Sequence, residues 1–194
     1  MTAEVRALVA LGNPGAKHER QRHNVGFWLA DAMAMTYQTS FREQSRFKGW
    51  VAQVTVGGEP LWMLKPATFM NRSGESVQPF AAFHKFTPEQ LLVVHDDLDL
   101  PPGAIRIKRG GGHGGHNGLR DIHRVIGPDY ARLRIGIGHP GHREAVLGHV
   151  LGVPPADETD ALLDGLERAY AGLERMLDGD WNRAAQFLHT QPET

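Results

Sequence analysis

Residues 6–31 read RALVALGNPGAKHERQRHNVGFWLAD, and their order decides the fold class. The run Arg6–Leu11 is short, apolar and free of glycine or proline, as a buried strand should be. It breaks at Asn13-Pro14-Gly15, where proline presets one backbone angle and glycine accepts the positive one, so the turn is tight. Val25–Tyr37 then places Phe27, Leu29, Met33 and Tyr37 at partial helical spacing. A buried strand, a tight turn and a helix form the opening unit of an α/β layer. The turn presents Asn13 at the carboxyl end of the strand, where such folds place ligands. A simple turn in which the asparagine bonds its own backbone is the plainer alternative.

The rest of the chain repeats this alternation. Trp50–Val56 and Pro60–Leu64 straddle Gly57-Gly58, the pattern of a β-hairpin. Ser73–Phe86 reads as a helix with Ser73 as its N-cap. Leu91–Val94 is a strand ending at His95-Asp96-Asp97, and Ile105–Lys108 is another. Gly118–Ile126 reads as a helix and Arg132–Ile137 as a strand. Ala156–Leu177 and Trp181–His189 close the chain as helices. The expectation is a single domain over residues 1–194, a twisted mixed β-sheet flanked by helices on both faces.

Composition bounds the chemistry. The 194 residues, 41% hydrophobic and 22% charged, suffice to bury a core. There is no cysteine, which excludes disulfides, thiolate metal sites and a cysteine nucleophile. No apolar run is long enough to span a membrane, and the N-terminus lacks a signal-peptide plan, so the expected location is the cytoplasm. The net charge of −1 conceals two blocks. Ala104–Arg143 carries eight Lys/Arg against two Asp, while Pro154–Asp180 carries eight acids against two Arg. The first suits an anionic partner and the second a solvated helix, although both also suit ordinary surface.

His23, between Arg22 and Asn24, is a candidate general base, because imidazole titrates near neutral pH. It needs an orienting carboxylate. Asp96, the first acid after the Leu91–Val94 strand, is the chosen partner, while Asp97 and Asp99 also suit turn formation before Pro101-Pro102. Three nearby acids are a weak cation signal without a second carboxylate cluster. Gly110–Gly118 is a glycine-rich loop in which backbone N–H groups can approach an anion. No Gly-Lys-Ser/Thr follows, and the ribose-binding acid of a dinucleotide fold is missing. His113 and His116 have no third ligand at zinc-motif spacing. A mobile loop offering the Asn117 amide is the simpler reading. Asn71 sits at another strand-to-helix junction, with helix capping as its alternative role. Ser73 lacks the Gly-x-Ser-x-Gly context of a nucleophile.

Six blocks, in order, resemble the bacterial peptidyl-tRNA hydrolase family: LGNPG at 11–15, RHNVG at 22–26, PATFMNRSG at 66–74, HDDLDLPPG at 95–103, GGGHGGHNGLRD at 110–121 and LRIGIGHPG at 133–141. The resemblance covers essentially the whole chain. It implies hydrolysis of the ester between a peptide and the 3′ ribose of tRNA, recycling tRNA from chains released early by ribosomes. It further implies a monomer with no metal or organic cofactor. By resemblance His23 is the base, Asp96 its orienting acid, and Asn13, Asn71 and Asn117 the active-site amides. Met70 is a hydrophobic wall, His116 joins the substrate-binding set, and Lys108, Arg134 and Arg143 grip tRNA phosphates. One departure is His18 where the family usually has Tyr or Phe, with Gln21 where threonine is common. Two other readings make different predictions. A non-catalytic RNA-binding protein similar to a chloroplast splicing factor would show an apolar patch in place of the basic track. A metal-dependent hydrolase built on the histidines and Asp96, Asp97 and Asp99 would lose activity with chelator.

Overall fold

The computed structural model describes residues 4–190. Seven strands form one sheet in the order β2-β3-β4-β1-β5-β7-β6. In chain order they are β1 (Ala7–Ala10), β2 (Arg42–Gln44), β3 (Gly49–Val56), β4 (Glu59–Pro66), β5 (Leu91–Asp97), β6 (Ile105–Arg109) and β7 (Ala131–Gly136). The helices are α1 (Val25–Thr36), α2 (Gly74–His84), α3 (Asn117–Ile126), α4 (Val146–Val150), α5 (Ala156–Leu177) and α6 (Trp181–His189).

The central strands are apolar on both faces because both faces are covered. Ala7, Val9, Leu91 and Val93 pack with Val77 and Phe80 of α2 and with Leu119 and Ile122 of α3. Leu8, Ala10, Leu92 and Val94 pack on the other side with Leu29 and Met33 of α1 and with Leu162 and Leu166 of α5. β1 runs parallel to both of its neighbours, β4 and β5. After β1 the chain passes through α1 to β2–β4 on one side, whereas β5 leads to β6 and β7 on the other. The carboxyl ends of β1 and β5 therefore flank a switch point, where a crevice opens in this class of fold.

The hairpin forms as expected, with Gly57 and Gly58 at φ 59° and 86°, the two positive values its tight turn requires. Two local expectations are corrected. β5 does not stop at Val94. Its parallel pairing with β7 continues to Asp97 opposite Gly136, so His95 and Asp96 are strand residues with fixed directions. Ser73 does not cap α2: its backbone is already helical, and its Oγ donates to the Met70 carbonyl at 2.7 Å. Asp121 supplies the cap instead, its Oδ2 accepting the Gly74 N–H at 2.7 Å. Sequence reading also passed over β2 and α4.

Candidate active site

Two glycines bring the helices onto the strand ends. A Cβ on Gly26 would lie 2.7 Å from the Leu11 carbonyl oxygen and 2.8 Å from that of Val94, so only glycine lets α1 start so close to β1 and β5. A Cβ on Gly118 would lie 2.6 Å from Met70 Sδ, so α3 starts equally close on the opposite face. His23 precedes α1 in a short 3₁₀ turn, and His116 is the N-cap of α3. The carboxylate of Asp96, near the end of β5, stands between them.

Each carboxylate oxygen takes one histidine. His23 Nδ1 lies 2.8 Å from Asp96 Oδ2, and His116 Nε2 lies 2.8 Å from Oδ1. The backbone fixes the His116 tautomer. Its Nδ1 accepts the N–H groups of Gly118 and Leu119, so the ring proton is on Nε2 and is donated to Asp96. Asp96 is buried and ionised. Burial alone would raise its pKa, but the charges of His23 and His116 and their hydrogen bonds hold it well below the usual carboxylate range. An ionised carboxylate only accepts, so neutral His23 carries its proton on Nδ1. That leaves the Nε2 lone pair, with no protein partner among the described residues. Burial pushes the His23 pKa down, and the charge and hydrogen bond of Asp96 more than offset this, so it is raised. His95, behind the pair, donates Nδ1–H to the Asp96 carbonyl oxygen at 2.8 Å, and burial next to His116 pushes its pKa down to about 4.

His23 Nδ1, Asp96 and His116 Nε2 are also close enough together to serve as metal ligands. The zinc-motif reading pairs His116 with His113, which is not in this group. In the hydrogen-bonded arrangement each nitrogen–oxygen pair shares one proton.

The triad opens into a cleft of about 910 Å³, lined by all ten residues singled out from the sequence: Asn13, His23, Met70, Asn71, Asp96, Lys108, His116, Asn117, Arg134 and Arg143. They differ in how they are held. Asn13 is clamped, since its N–H donates to Asn24 Oδ1, its carbonyl accepts from Asn24 Nδ2, and its Oδ1 accepts the Met70 N–H. Asn71 is exposed at the rim, and Asn117 is exposed with Oδ1 3.3 Å from Arg120 Nη1. Met70 is a largely buried part of the cleft lining, at 4% exposure. His116 meets the site through Asp96, with both ring nitrogens already engaged. Lys108 and Arg143 are exposed cations, whereas Arg134 is tied through Nε to Asp97 Oδ2 at 2.7 Å.

Arg22 does not act as a cation beside the histidine. It is 8% exposed, and its Nε and Nη2 both donate to Glu158 Oε2 of α5, which braces the turn carrying His23. The glycine-rich loop is anchored at its start, where Arg132 donates to the carbonyls of Gly111 and Gly112. His18 and Gln21, the two departures from the family pattern, bond to each other at 2.7 Å and are absent from the cleft lining.

Sequence reading missed three contributors. Asn24 fixes Asn13. Arg120 adds a cation to the rim. The short α4 contributes Val146, Leu147 and Val150 to an apolar wall. The pairing of Asn24 with Asn13 had a local signal, two asparagines flanking one strand-to-helix connection, but a partner for Asn24 is a tertiary fact.

Comparison with known proteins agrees with this geometry. The pattern of the family described as peptidyl-tRNA hydrolase matches residues 7–194. The chain is 49% identical over 185 residues to a peptidyl-tRNA hydrolase of Halorhodospira halophila, covering 95% of each protein. It is 46% identical over 192 residues to one from Neisseria gonorrhoeae, covering 98% of this chain and all of the relative. The crystal structure of peptidyl-tRNA hydrolase from Acinetobacter baumannii superposes with a TM-score of 0.94 at 42% identity, over 98% of this chain and 97% of that one. A cleft built on a buried carboxylate–histidine pair, with near full-length agreement in sequence and fold, establishes that the chain belongs to the peptidyl-tRNA hydrolase family.

Proposed function

We propose that this enzyme hydrolyses the ester of peptidyl-tRNA by general-base catalysis from His23, with water as the nucleophile. The observation that carries the reading is the free Nε2 lone pair of His23, facing the cleft while Nδ1–H is held by ionised Asp96. Nε2 takes a proton from water, the hydroxide adds to the ester carbonyl, and the imidazolium returns the proton to the departing 3′ ribose oxygen. Asp96 orients the ring and stabilises its cationic state without itself becoming protonated.

The tetrahedral oxyanion needs a fixed donor. Asn13 suits this best, because its Oδ1 is occupied by the Met70 N–H and its Nδ2 is left as the outward donor. Asn71 and Asn117, exposed at the rim, suit the peptide backbone, with Met70 and the α4 wall beside the peptide side chains. Lys108 and Arg143 offer free charge to the acceptor-stem phosphates, and Arg134 reinforces them through the guanidinium nitrogens that Asp97 leaves open. Cleft and rim come from one chain, which supports action as a monomer. The hydrogen-bonded triad supports turnover without a metal. The basic rim favours a tRNA-binding hydrolase over a scaffold that only docks a partner.

The test uses N-blocked and unblocked aminoacyl-tRNA with wild-type enzyme and His23→Ala, with and without EDTA. The expected result is EDTA-indifferent cleavage of the blocked substrate by wild type, and loss of turnover in the variant with tRNA affinity retained. Equal loss of binding and turnover in His23→Ala would overturn the base assignment.

A further inference from the structure

Among the described residues, Asp96 is the one carboxylate with both oxygens engaged by histidines, and the second of them, His116, is expected from the resemblance only as a substrate contact. His116 cannot bind substrate through its nitrogens while it holds this geometry, because Nδ1 takes two backbone N–H groups and Nε2 gives its proton to Asp96. Its ring packs 5.0 Å from that of His23 and 5.2 Å from that of His95, centroid to centroid. Its side chain is only 9% exposed.

We propose that His116 is a positioning residue: it couples the start of α3 to Asp96 and holds the carboxylate at the angle, and with the share of negative charge, that serves His23. This rests on the general-base reading above. The physical argument is a competition for one acceptor. A carboxylate that receives a second N–H bond spreads its charge over two donors and attracts the first less strongly. His116 therefore restrains the basicity of His23, which Asp96 alone would raise further. It also stops rotation about the Asp96 side-chain bond, which would point Oδ2 away from His23 Nδ1.

The surrounding charges do not take over this role. Arg22 is committed to Glu158, and Arg134 to Asp97. His95 is neutral, since its pKa is pushed down to about 4. His113 is pushed down by partial burial and by the charge of Arg120, and its Nδ1 accepts from the Gly115 N–H. Among the described residues, only His116 reaches the second oxygen of Asp96.

The two functions of His116 can be separated by substitution. Asn places an acceptor near the position of Nδ1 but is too short to reach Asp96, so His116→Asn keeps the cap and drops the carboxylate donor. Gln places an amide near Nε2, so His116→Gln keeps the donor to Asp96 and drops the cap. The measurements are kcat and KM against pH with N-blocked aminoacyl-tRNA, plus NMR titration of the His23 ring. In His116→Asn the acid limb of kcat and the His23 titration should both move to higher pH. The kcat at neutral pH should fall on the order of tenfold or more, the effect typical of removing an outer partner that orients a catalytic ligand. His116→Gln should titrate like wild type. A raised KM with unchanged kcat and unchanged His23 titration in His116→Asn would overturn the proposal and make His116 a substrate contact. An impaired His116→Gln beside a wild-type-like His116→Asn would overturn it in favour of a capping role. His23→Asn, run in parallel, isolates the underlying reading: full activity there would defeat the general base, whereas an inactive His23→Asn beside an unaltered His116→Asn would defeat this inference alone.

Discussion

Asn13 Oδ1 accepts the Met70 backbone N–H at 2.7 Å, and that single bond settles which way the amide faces. With the oxygen occupied, Nδ2 is the group left for a ligand. Asn24 holds the backbone of the same residue from the other side with two bonds of 2.9 Å, so the donor is preorganised before substrate arrives. Preorganised donors matter most where charge develops, and one of them is worth about 2.7–4 kcal/mol in the transition state. Asn13→Asp keeps the acceptor for Met70 and removes the donor. Its kcat should fall about 10²–10³-fold, and its melting temperature should be nearly unchanged. Asn13→Ala should be slow as well, and less stable by about 1–3 kcal/mol, because it strands a buried N–H. Steady-state kinetics beside thermal melts separate the two effects, and an active Asn13→Asp would remove Asn13 from oxyanion stabilisation.

The acid limb of the pH profile follows from the His23–Asp96 pair. His23 works only when neutral, and its pKa is raised by Asp96, so the midpoint for kcat/KM should lie above the ordinary 6.5. In Asp96→Asn the charge that raises the pKa is gone while burial, which lowers it, remains. The limb should then move down in pH while kcat falls about 10²–10⁴-fold, since an amide does not stabilise the imidazolium. Stability follows the same pair with opposite windows. The raised pKa of His23 contributes stability in full below 6.5 and loses it as pH rises through the folded value. The depressed pKa of Asp96 contributes above 3.8 and loses it as pH falls through its folded value. A pH–rate profile of wild type against Asp96→Asn checks the first statement. Denaturant melts across the acid range check the second.

Much of this site was legible because its carriers lie beside strand ends, and strand ends are marked by abrupt changes of residue type. Leu91–Val94 giving way to His95-Asp96-Asp97 signals a strand tip, and Asn13-Pro14-Gly15 signals a turn. The extent of β5 was not legible, because charged residues in a strand are tolerated only where tertiary partners await them. Asp96 has two such partners, from opposite faces of the sheet. The same cause hid the fate of Arg22, whose acid lies 136 residues away on α5. Helix α4 was missed for a different reason. Five residues are too few to show a period, and they follow a segment rich in glycine, proline and histidine that reads as loop.

The basic rim predicts a division of labour among its cations. Lys108 and Arg143 have no acidic partner among the described residues, so each should contribute to phosphate binding through counterion release. Replacing either by Ala should raise KM, leave kcat nearly unchanged, and reduce the slope of log affinity against log salt by about 0.7–0.9. Arg134→Ala should do this and more, because it also leaves Asp97 with an uncompensated charge at 13% side-chain exposure. Fluorescence anisotropy with deacylated tRNA over a salt series measures the slopes, and an unchanged slope in Lys108→Ala would remove that residue from the phosphate path.

Gly26 tests whether the closeness of α1 to the sheet is what makes His23 catalytic. A methyl group there would meet the carbonyl oxygens of Leu11 and Val94 and the Leu11 nitrogen, all backbone atoms within 2.9 Å. None of these can swing aside as a side chain would, so the start of α1 must move outward, and His23 with it. Overpacking of this kind costs about 1–3 kcal/mol. The 2.8 Å bond from His23 to Asp96 cannot stretch with the shift and remain a hydrogen bond. Gly26→Ala should therefore lose stability and, separately, lose kcat by more than its folded fraction explains, with KM little changed because the rim cations sit on other elements. Kinetics at a temperature where the variant is fully folded by circular dichroism make the distinction. A folded Gly26→Ala with wild-type kcat would show that the catalytic pair tolerates the displacement, and that the glycine serves packing alone.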